Sequence, residues 1–350
     1  MERLQGLRAL ADGAPSLAFL LCVEAGPLEA QALLLCRSIR RWGGALASAP
    51  VHAYRPREGE PLAESTRVEL DALDVRLVEE PLNREHSYYP MANKVHACAH
   101  AERHLEAEVL VFCDSDTVFV NEPAELALAP GVDATLRPVG DVGKGSKGPG
   151  HKNEPYWQRL YELADVDDPP WVTTMRTGKR IRGYWSSGLI AARRQSGLLG
   201  EWLELLSRLL AAGHVPRSGT VNNMDQIALA AALSRRPERI GALDHRYNYV
   251  IARRALYEGA MRDADLDELV HLHYTRWFNR PDFLRDLRPA LDRRTPQFRW
   301  LSGFLPFEPT ISEPLWGMEP EGMKGRGGRR RLRERFGTRG SRYRARGPGG

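Results

Sequence analysis

The chain has 350 residues, 42% of them hydrophobic and 27% charged, with 32 glycines and 24 prolines. That balance supports a sizeable core and excludes a collagen, a coiled coil and a chain disordered throughout. No stretch reaches the roughly 18 apolar residues of a membrane span, and the net charge of +5 is small.

Leu17 to Val23 is a continuous apolar run, as expected of a central parallel strand covered on both faces. The run from Ser16 is too short for a signal peptide, lacks a small-residue cleavage pattern and leads into Glu24, so it reads as a buried strand. Pro27 suits the first turn of a helix running to about Trp42, with Leu28, Ala32, Leu35 and Ile39 at helical spacing and Gly43-Gly44 as its end. Strands over Val51 to Tyr54 and Val75 to Val78 flank a short helix over Glu64 to Leu73. A helix from about Met91 to Leu105 precedes the strand Val109 to Cys113, which ends in Asp114-Ser115-Asp116. This alternation predicts an open, mostly parallel α/β sheet, whose ligands gather at the carboxyl ends of its strands.

Beyond Asp116 the pattern is less regular. Val132 to Pro138 is a candidate strand, and residues 139–155, rich in Gly, Lys and polar groups, read as a mobile loop and a plausible lid. Helices are expected over Tyr156 to Leu163, Leu198 to Ala212 and Asp225 to Leu233, and strands over Gly183 to Ala192 and Leu269 to Tyr274. Cys22 and Cys113 fall in strand-like runs, Cys36 and Cys98 in helix-like ones. Four cysteines are too few for a disulfide framework and read as buried free thiols of a reducing, cytoplasmic compartment.

The chemistry centres on Asp114 and Asp116. Two carboxylates one residue apart at a strand's end can share a crevice, but facing each other without a counter-ion raises their pKa values. A divalent cation such as Mn²⁺ or Mg²⁺ removes that cost and prefers oxygen ligands. An acidic turn that merely follows a strand is the bland alternative.

Val109 to Val120, VLVFCDSDTVFV, resembles the metal-binding segment of GT-A-fold glycosyltransferases, which transfer sugars from nucleotide-sugar donors. Three further segments resemble that family in its order. Tyr184 to Ala192, YWSSGLIAA, carries a Ser187-Gly188 turn beside the donor sugar; Asn222 to Gln226, NNMDQ, carries an Asp-Gln pair opening a helix; and His271-Leu272-His273-Tyr274 carries a late His-aromatic pair. The match is best with the retaining branch of glycogenin and bacterial lipopolysaccharide sugar transferases, over roughly residues 16–280. That branch has a Gly and a Lys-Pro-Trp run after the late His, where this chain has Thr275 to Asn279, and an Arg before the acidic pair, where it has Asn93-Lys94.

The resemblance implies a GT-A-like, Rossmann-type, mostly parallel sheet flanked by helices in a single large domain, and metal-dependent transfer of a sugar from a nucleotide-diphosphate sugar, with a UDP-sugar expected, to a hydroxyl acceptor. Asp114, Asp116 and His273 would hold Mn²⁺ or Mg²⁺, with His271 as the other candidate imidazole. Lys94, Asp114, Ser187, Gly188 and Arg276 would contact the donor, and Asp225 and Gln226 would act at the sugar. If the enzyme inverts, Asp225 is the natural general base; if it retains, the attacking hydroxyl arrives on the leaving-group face. Trp185 would line an acceptor site or simply pack. The acceptor, whether carbohydrate, lipid-linked or protein, is not legible.

Two other enzymes share the letters. In a haloacid-dehalogenase-type phosphohydrolase Asp114 would be the nucleophile, but that motif ends the first strand of its domain, and the cluster Asp263, Asp265, Asp267 lacks the expected preceding glycine. A nucleotidyltransferase would need a basic Gly-rich loop after strand one, where Cys22 to Ala30 has one glycine and no basic residue. The domain is expected over 1–305, followed by a connecting segment at 306–320 and an Arg/Gly-rich tail at 321–350. The tail carries eleven Lys/Arg against Glu321 and Glu334, or +9, which leaves −4 on the first 320 residues. It reads as a disordered terminus able to attract anionic lipid or nucleic acid and to hold the protein at the periphery of a membrane.

Overall fold

In the computed structural model of the chain, residues 15–216 and 221–306 are described. The first half is a succession of β–α units. β1 (Leu17–Cys22), α1 (Pro27–Trp42), β2 (Val51–Tyr54), α2 (Glu64–Ala72), β3 (Val75–Val78), α3 (Ala92–His104) and β4 (Val109–Cys113) follow the apolar runs and their punctuation closely. Pro27 stands in the first turn of α1, and the Glu29 carboxylate accepts from the Gly26 N–H at 2.9 Å, so a reciprocal cap fixes where the chain leaves β1.

The second half contributes β5 (Thr117–Phe119), β6 (Ala134–Pro138), α4 (Glu154–Leu163), β7 (Trp171–Thr173), β8 (Arg180–Arg182), β9 (Trp185–Arg193), α5 (Leu198–Ala211), α6 (Met224–Ser234), β10 (Ile240–Ala242), β11 (Tyr249–Val250), α7 (Gly259–Asp263), β12 (His271–His273), α8 (Phe283–Asp286) and α9 (Pro296–Ser302). Seven strands form the central sheet in the order β10-β6-β9-β4-β1-β2-β3. β1 pairs in parallel with β2 and β4, β2 with β3, and β6 with β10; β9 alone is antiparallel, to both β4 and β6. The expected mostly parallel α/β sheet is therefore present, with one reversed strand. A run buried on both faces carries no signal of strand direction, which is why β9 was legible as a strand but not as a reversed one.

Successive residues of β1 alternate between two cores. Ala18 and Leu20 pack with Val95 and Cys98 of α3 and with the apolar faces of α5 and α6. Leu17, Phe19 and Leu21 pack with Leu35 and Ile39 of α1 on the opposite face. α6 is buried almost all round, from Met224 to Ser234 with Gln226 the exception, as an Ala/Leu-rich helix inside a layered core should be. A second sheet, β11-β12-β5, sits over a third cluster built on Val118, Tyr249 and Leu272.

Among the described residues the four cysteines are free, three of them buried and Cys22 half-buried. No described helix is long and apolar enough to cross a membrane. Within residues 139–155, read from sequence as a loop, side chains tie the segment to its neighbours. The Trp157 indole N–H donates to Lys144 O at 2.8 Å, Asn153 Nδ2 to Gly145 O at 2.9 Å, and the fully buried Ser146 hydroxyl to Glu154 at 2.5 Å. A composition typical of a loose loop conceals these anchors, since each is a single polar group meeting a backbone carbonyl or a buried carboxylate. The basic tail and most of the 306–320 segment lie outside the described residues.

Candidate active site

The site is assembled where the chain leaves β4. The Asp114 N–H donates to Gly188 O at 2.9 Å, which continues the β4–β9 ladder by one bond. The Thr117 hydroxyl donates to Asp114 O at 2.6 Å, and the Ser115 hydroxyl donates to Cys22 O at the end of β1. The turn is thereby fixed to both neighbouring strands, and β5 follows at once. β5 pairs antiparallel with β12 so that Thr117 lies opposite His273, and the Tyr274 N–H donates to Asp116 O at 3.1 Å. This register brings a histidine 157 positions further along the chain beside the acidic pair.

Ligand atoms of Asp114, Asp116 and His273 all lie within 4.8 Å of one another. His273 Nε2 is 3.2 Å from Asp116 Oδ1, and its Nδ1 is 3.0 Å from Asn248 Oδ1. Asn248 Nδ2 donates to the Ser186 hydroxyl at 2.8 Å, which turns its oxygen toward the imidazole. An Nδ1–H donated to that oxygen leaves Nε2 as the free ligand atom, the usual support behind a metal-binding histidine. Asn248 holds φ +46°, a left-handed conformation that asparagine tolerates better than most residues. His271 is not part of the cluster. It is fully buried with its ring 4.6 Å from that of Phe119, and burial pushes its pKa well below the ordinary range.

Gly188 closes the wall. A Cβ at this position would stand 3.1 Å from Asp114 Oδ2 and 3.1 Å from His273 Nδ1, so any larger residue would push these groups by a few tenths of an ångström. Two carboxylates and an imidazole in a cradle of this size suit a divalent cation such as Mn²⁺ or Mg²⁺.

Lys94 enters from the first turn of α3. Its Nζ is 2.5 Å from Asp114 Oδ1 and 3.4 Å from Asp225 Oδ2, and the side chain is buried. A lysine in the first turn of a helix is ordinarily solvated, and this one is not. Burial favours its neutral form, but the Asp114 and Asp225 carboxylates outweigh burial and hold the pKa above the usual lysine range. Burial raises Asp114 above the carboxylate norm despite Lys94, whereas the His273 imidazole outweighs burial at Asp116 and lowers it.

Asp225 stands at the start of α6, after Asn223 at φ +71°, and is 2% exposed. Both carboxylate oxygens are engaged. Oδ1 accepts from Tyr89 OH at 2.7 Å, and Oδ2 accepts from the Ser187 hydroxyl at 2.9 Å while facing Lys94. The Trp202 indole N–H donates to Asp225 O at 2.7 Å. Gln226 is half-buried and its side chain bonds the Tyr184 phenol. The side chain of Arg276 lies outside the described part of the chain. Asp263 and Asp265 take no part in the cluster: Asp263 pairs with the neighbouring Arg262 at 2.8 Å, and Asp265 accepts from the backbone of Leu266 and Asp292.

Thus Lys94, Asp114, Asp116, Ser187, Gly188, Asp225 and His273 converge on one crevice. Tyr89, Ser186 and Asn248 belong to it and were not singled out from sequence. The only local signal for Asn248 is an asparagine between two tyrosines shortly before the late histidines, and Tyr89 carries no motif.

The chain matches the profile of the Rhodobacterales glycosyltransferase domain over residues 19–236 and belongs to that glycosyltransferase family. It is a glycosyltransferase, with the layered α/β sheet described above. Among solved structures it is similar to the galactosyltransferase LgtC in complex with donor and acceptor sugar analogues (12% identity, TM-score 0.48, covering 85% of this chain and 98% of that one). It is also similar to the apo structure of the bifunctional glycosyltransferase WbbM (13% identity, TM-score 0.46, covering 83% of this chain), of whose length it spans about half, 52%. No curated protein matches the sequence.

Proposed function

We propose that this glycosyltransferase is metal-dependent, takes a nucleoside-diphosphate sugar, with UDP as the nucleotide, and transfers the sugar to a hydroxyl acceptor with retention at the anomeric carbon. The observation that carries this reading is the convergence of Asp114, Asp116 and His273 next to the Lys94–Asp225 pair. Asp114, Asp116 and His273 would hold the cation, whose contribution is Lewis-acid stabilisation of the departing diphosphate.

The remaining roles belong to the chain's own groups. The Lys94 ammonium supplies fixed positive charge where negative charge develops on the leaving group. Asp225 positions Ser187 and Lys94 beneath the sugar, Gly188 keeps that floor low, and Gln226 borders it. Retention is favoured by the state of Asp225. A general base for inversion needs an accessible lone pair within reach of the incoming hydroxyl, whereas Asp225 is almost fully buried and committed to Tyr89, Ser187 and Lys94. The test is donor turnover with Mn²⁺ and a panel of nucleotide-sugars, followed by assignment of the product anomer. An inverted product, or turnover undiminished by chelator, contradicts the reading.

The binding of the basic tail to anionic lipid or nucleic acid, and with it a place at the membrane periphery, rests on charge alone. It is tested by vesicle co-sedimentation with and without residues 321–350.

A further inference from the structure

A cavity with a volume of about 580 Å³ lies at the β10 edge of the central sheet. Its walls are the β7–β8 hairpin, the open edge of the central sheet at β10, and the start of β9, with Trp171, Trp185, Pro138, Pro170, Met175 and Ile240 contributing the main surfaces. No charged or carboxamide side chain lines it. The volume falls in the range of small-molecule sites, but the only side-chain hydroxyls are those of Thr173 and Thr174, the latter already bonded to Thr177 and the Lys179 N–H, and walls with so few hydrogen-bonding groups do not suit a sugar ring with its several hydroxyls. They suit an apolar group.

The cavity is built into the fold. The Gly183 N–H donates to Pro170 O at 2.7 Å, the Arg182 N–H to Ser146 O at 2.7 Å, and the Met175 N–H to Val139 O at 2.9 Å, so the hairpin hangs from the segment that follows β6. A Cβ at Gly183 would come within 2.9 Å of both Pro170 and Trp185, so the two walls meet closely at this glycine. Cations gather over one wall. The guanidiniums of Arg180 and Arg182 each lie 4.4 Å from the Trp171 ring. Arg182 is held by Glu154 at 2.7 Å, but Arg180 is exposed and in no ion pair among the described residues, next to the exposed Lys179.

Trp185 also connects the cavity to the chemistry. It stands two residues before Ser187, whose hydroxyl bonds Asp225. Two residues of strand span about 7 Å, a separation on the scale of one sugar ring.

From this juxtaposition we infer that the cavity is an acceptor subsite for an anionic amphiphile: the acceptor's apolar chain or ring lies between Trp171 and Trp185, and its phosphate or other acidic group meets Arg180 and Lys179. This rests on the glycosyl-transfer reading for the word acceptor, but binding at the cavity does not depend on the metal cluster.

The experiment is calorimetric titration of the full chain with dodecyl phosphate below its critical micelle concentration, beside dodecyl maltoside and inorganic phosphate. Saturable binding is expected for dodecyl phosphate, at least tenfold weaker for the uncharged amphiphile and for phosphate alone. Ala242→Trp, which places bulk at an exposed position on the cavity wall, should abolish binding, and Lys179→Gln with Arg180→Gln should weaken it at least tenfold, each with melting behaviour close to the parent. No saturable binding, equal binding of the uncharged amphiphile, or binding undiminished in either variant would overturn the inference. Asp116→Ala separates the two readings: it should lose nucleotide-sugar binding and keep dodecyl phosphate binding, so either site can fail without the other.

Discussion

Tyr89 and Asp225, 136 positions apart in the chain, exchange two hydrogen bonds. The phenol donates to Oδ1 at 2.7 Å and accepts from the Asp225 N–H at 3.1 Å. Both residues are buried, and burial together with the Asp225 charge raises the Tyr89 pKa well above its ordinary value, so the phenol is a neutral donor throughout the physiological range. Removing it leaves a buried carboxylate oxygen and a helix-terminal N–H without their partner. Such a loss costs about 1–3 kcal/mol, so Tyr89→Phe should lower the unfolding free energy by that amount, with a lower urea midpoint, and lower turnover with little change in donor affinity. An unaltered midpoint would mean that Asp225 is held by its other partners alone.

Lys94 is the internal counter-ion of Asp114 and Asp225. Breaking a buried ion pair by deleting one partner costs about 3–5 kcal/mol, because a charge is left uncompensated. Lys94→Met should therefore be strongly destabilised in the presence of chelator, and MnCl₂ should recover part of the loss by supplying positive charge to the same carboxylates. Equilibrium unfolding with and without MnCl₂ checks this. A variant equally stable under both conditions would show that metal and lysine do not share the site.

The wall at Gly188 makes a sharper steric prediction. Gly188→Ala puts a methyl group 3.1 Å from Asp114 Oδ2 and His273 Nδ1. The fold should tolerate it in β9, where most of the ladder to β4 and β6 is unaffected, while nucleotide-sugar turnover falls several-fold, short of the roughly hundredfold that a full ångström of misplacement costs. Circular dichroism and a donor hydrolysis assay read the two effects separately.

Stability should also depend on pH through the histidines of α3. His96 is buried, with Nε2 3.4 Å from His86 Nδ1, a contact that needs at least one ring neutral. Burial, with His86 and Arg103 nearby, lowers its pKa from 6.5 to about 4. The unfolded chain therefore takes up the proton first. The stabilisation is complete above about pH 6.5 and is lost as pH falls toward 4, at no more than about 1.4 kcal/mol per pH unit. His96→Gln should flatten the dependence of the unfolding midpoint on pH across that window, and an unchanged slope would assign the acid sensitivity elsewhere.

What could be read from the sequence followed the range of the interactions. β1 and β4 are continuous apolar runs, β2 and β3 are short apolar segments interrupted only by His52 and Arg76, and local patterning with its bounding Pro, Gly and polar residues marks all four. Asp114 and Asp116 are one residue apart, so their joint presence at a strand's end needed no tertiary information. The burial of Lys94 has no local signal, because it comes from packing of the α3 N-terminus against the ends of β1 and β4. His271 and His273 could not be separated, since alternate residues of a strand share a face. Only their depth, about 7 Å apart along β12, puts one against Phe119 and the other beside Asp116. Tyr89, Ser186 and Asn248 depend wholly on which loops the fold brings together.

The central claim is that Asp114, Asp116 and His273 bind one divalent cation needed for sugar transfer. Its most direct measurement is Mn²⁺ titration by electron paramagnetic resonance on the parent, Asp116→Ala and His273→Ala chains, each in the presence of UDP, with donor turnover followed in parallel. The account predicts one bound Mn²⁺ per parent chain and, in both variants, loss of that binding together with turnover while the fold persists. Stoichiometric Mn²⁺ binding and full turnover in folded Asp116→Ala would contradict it.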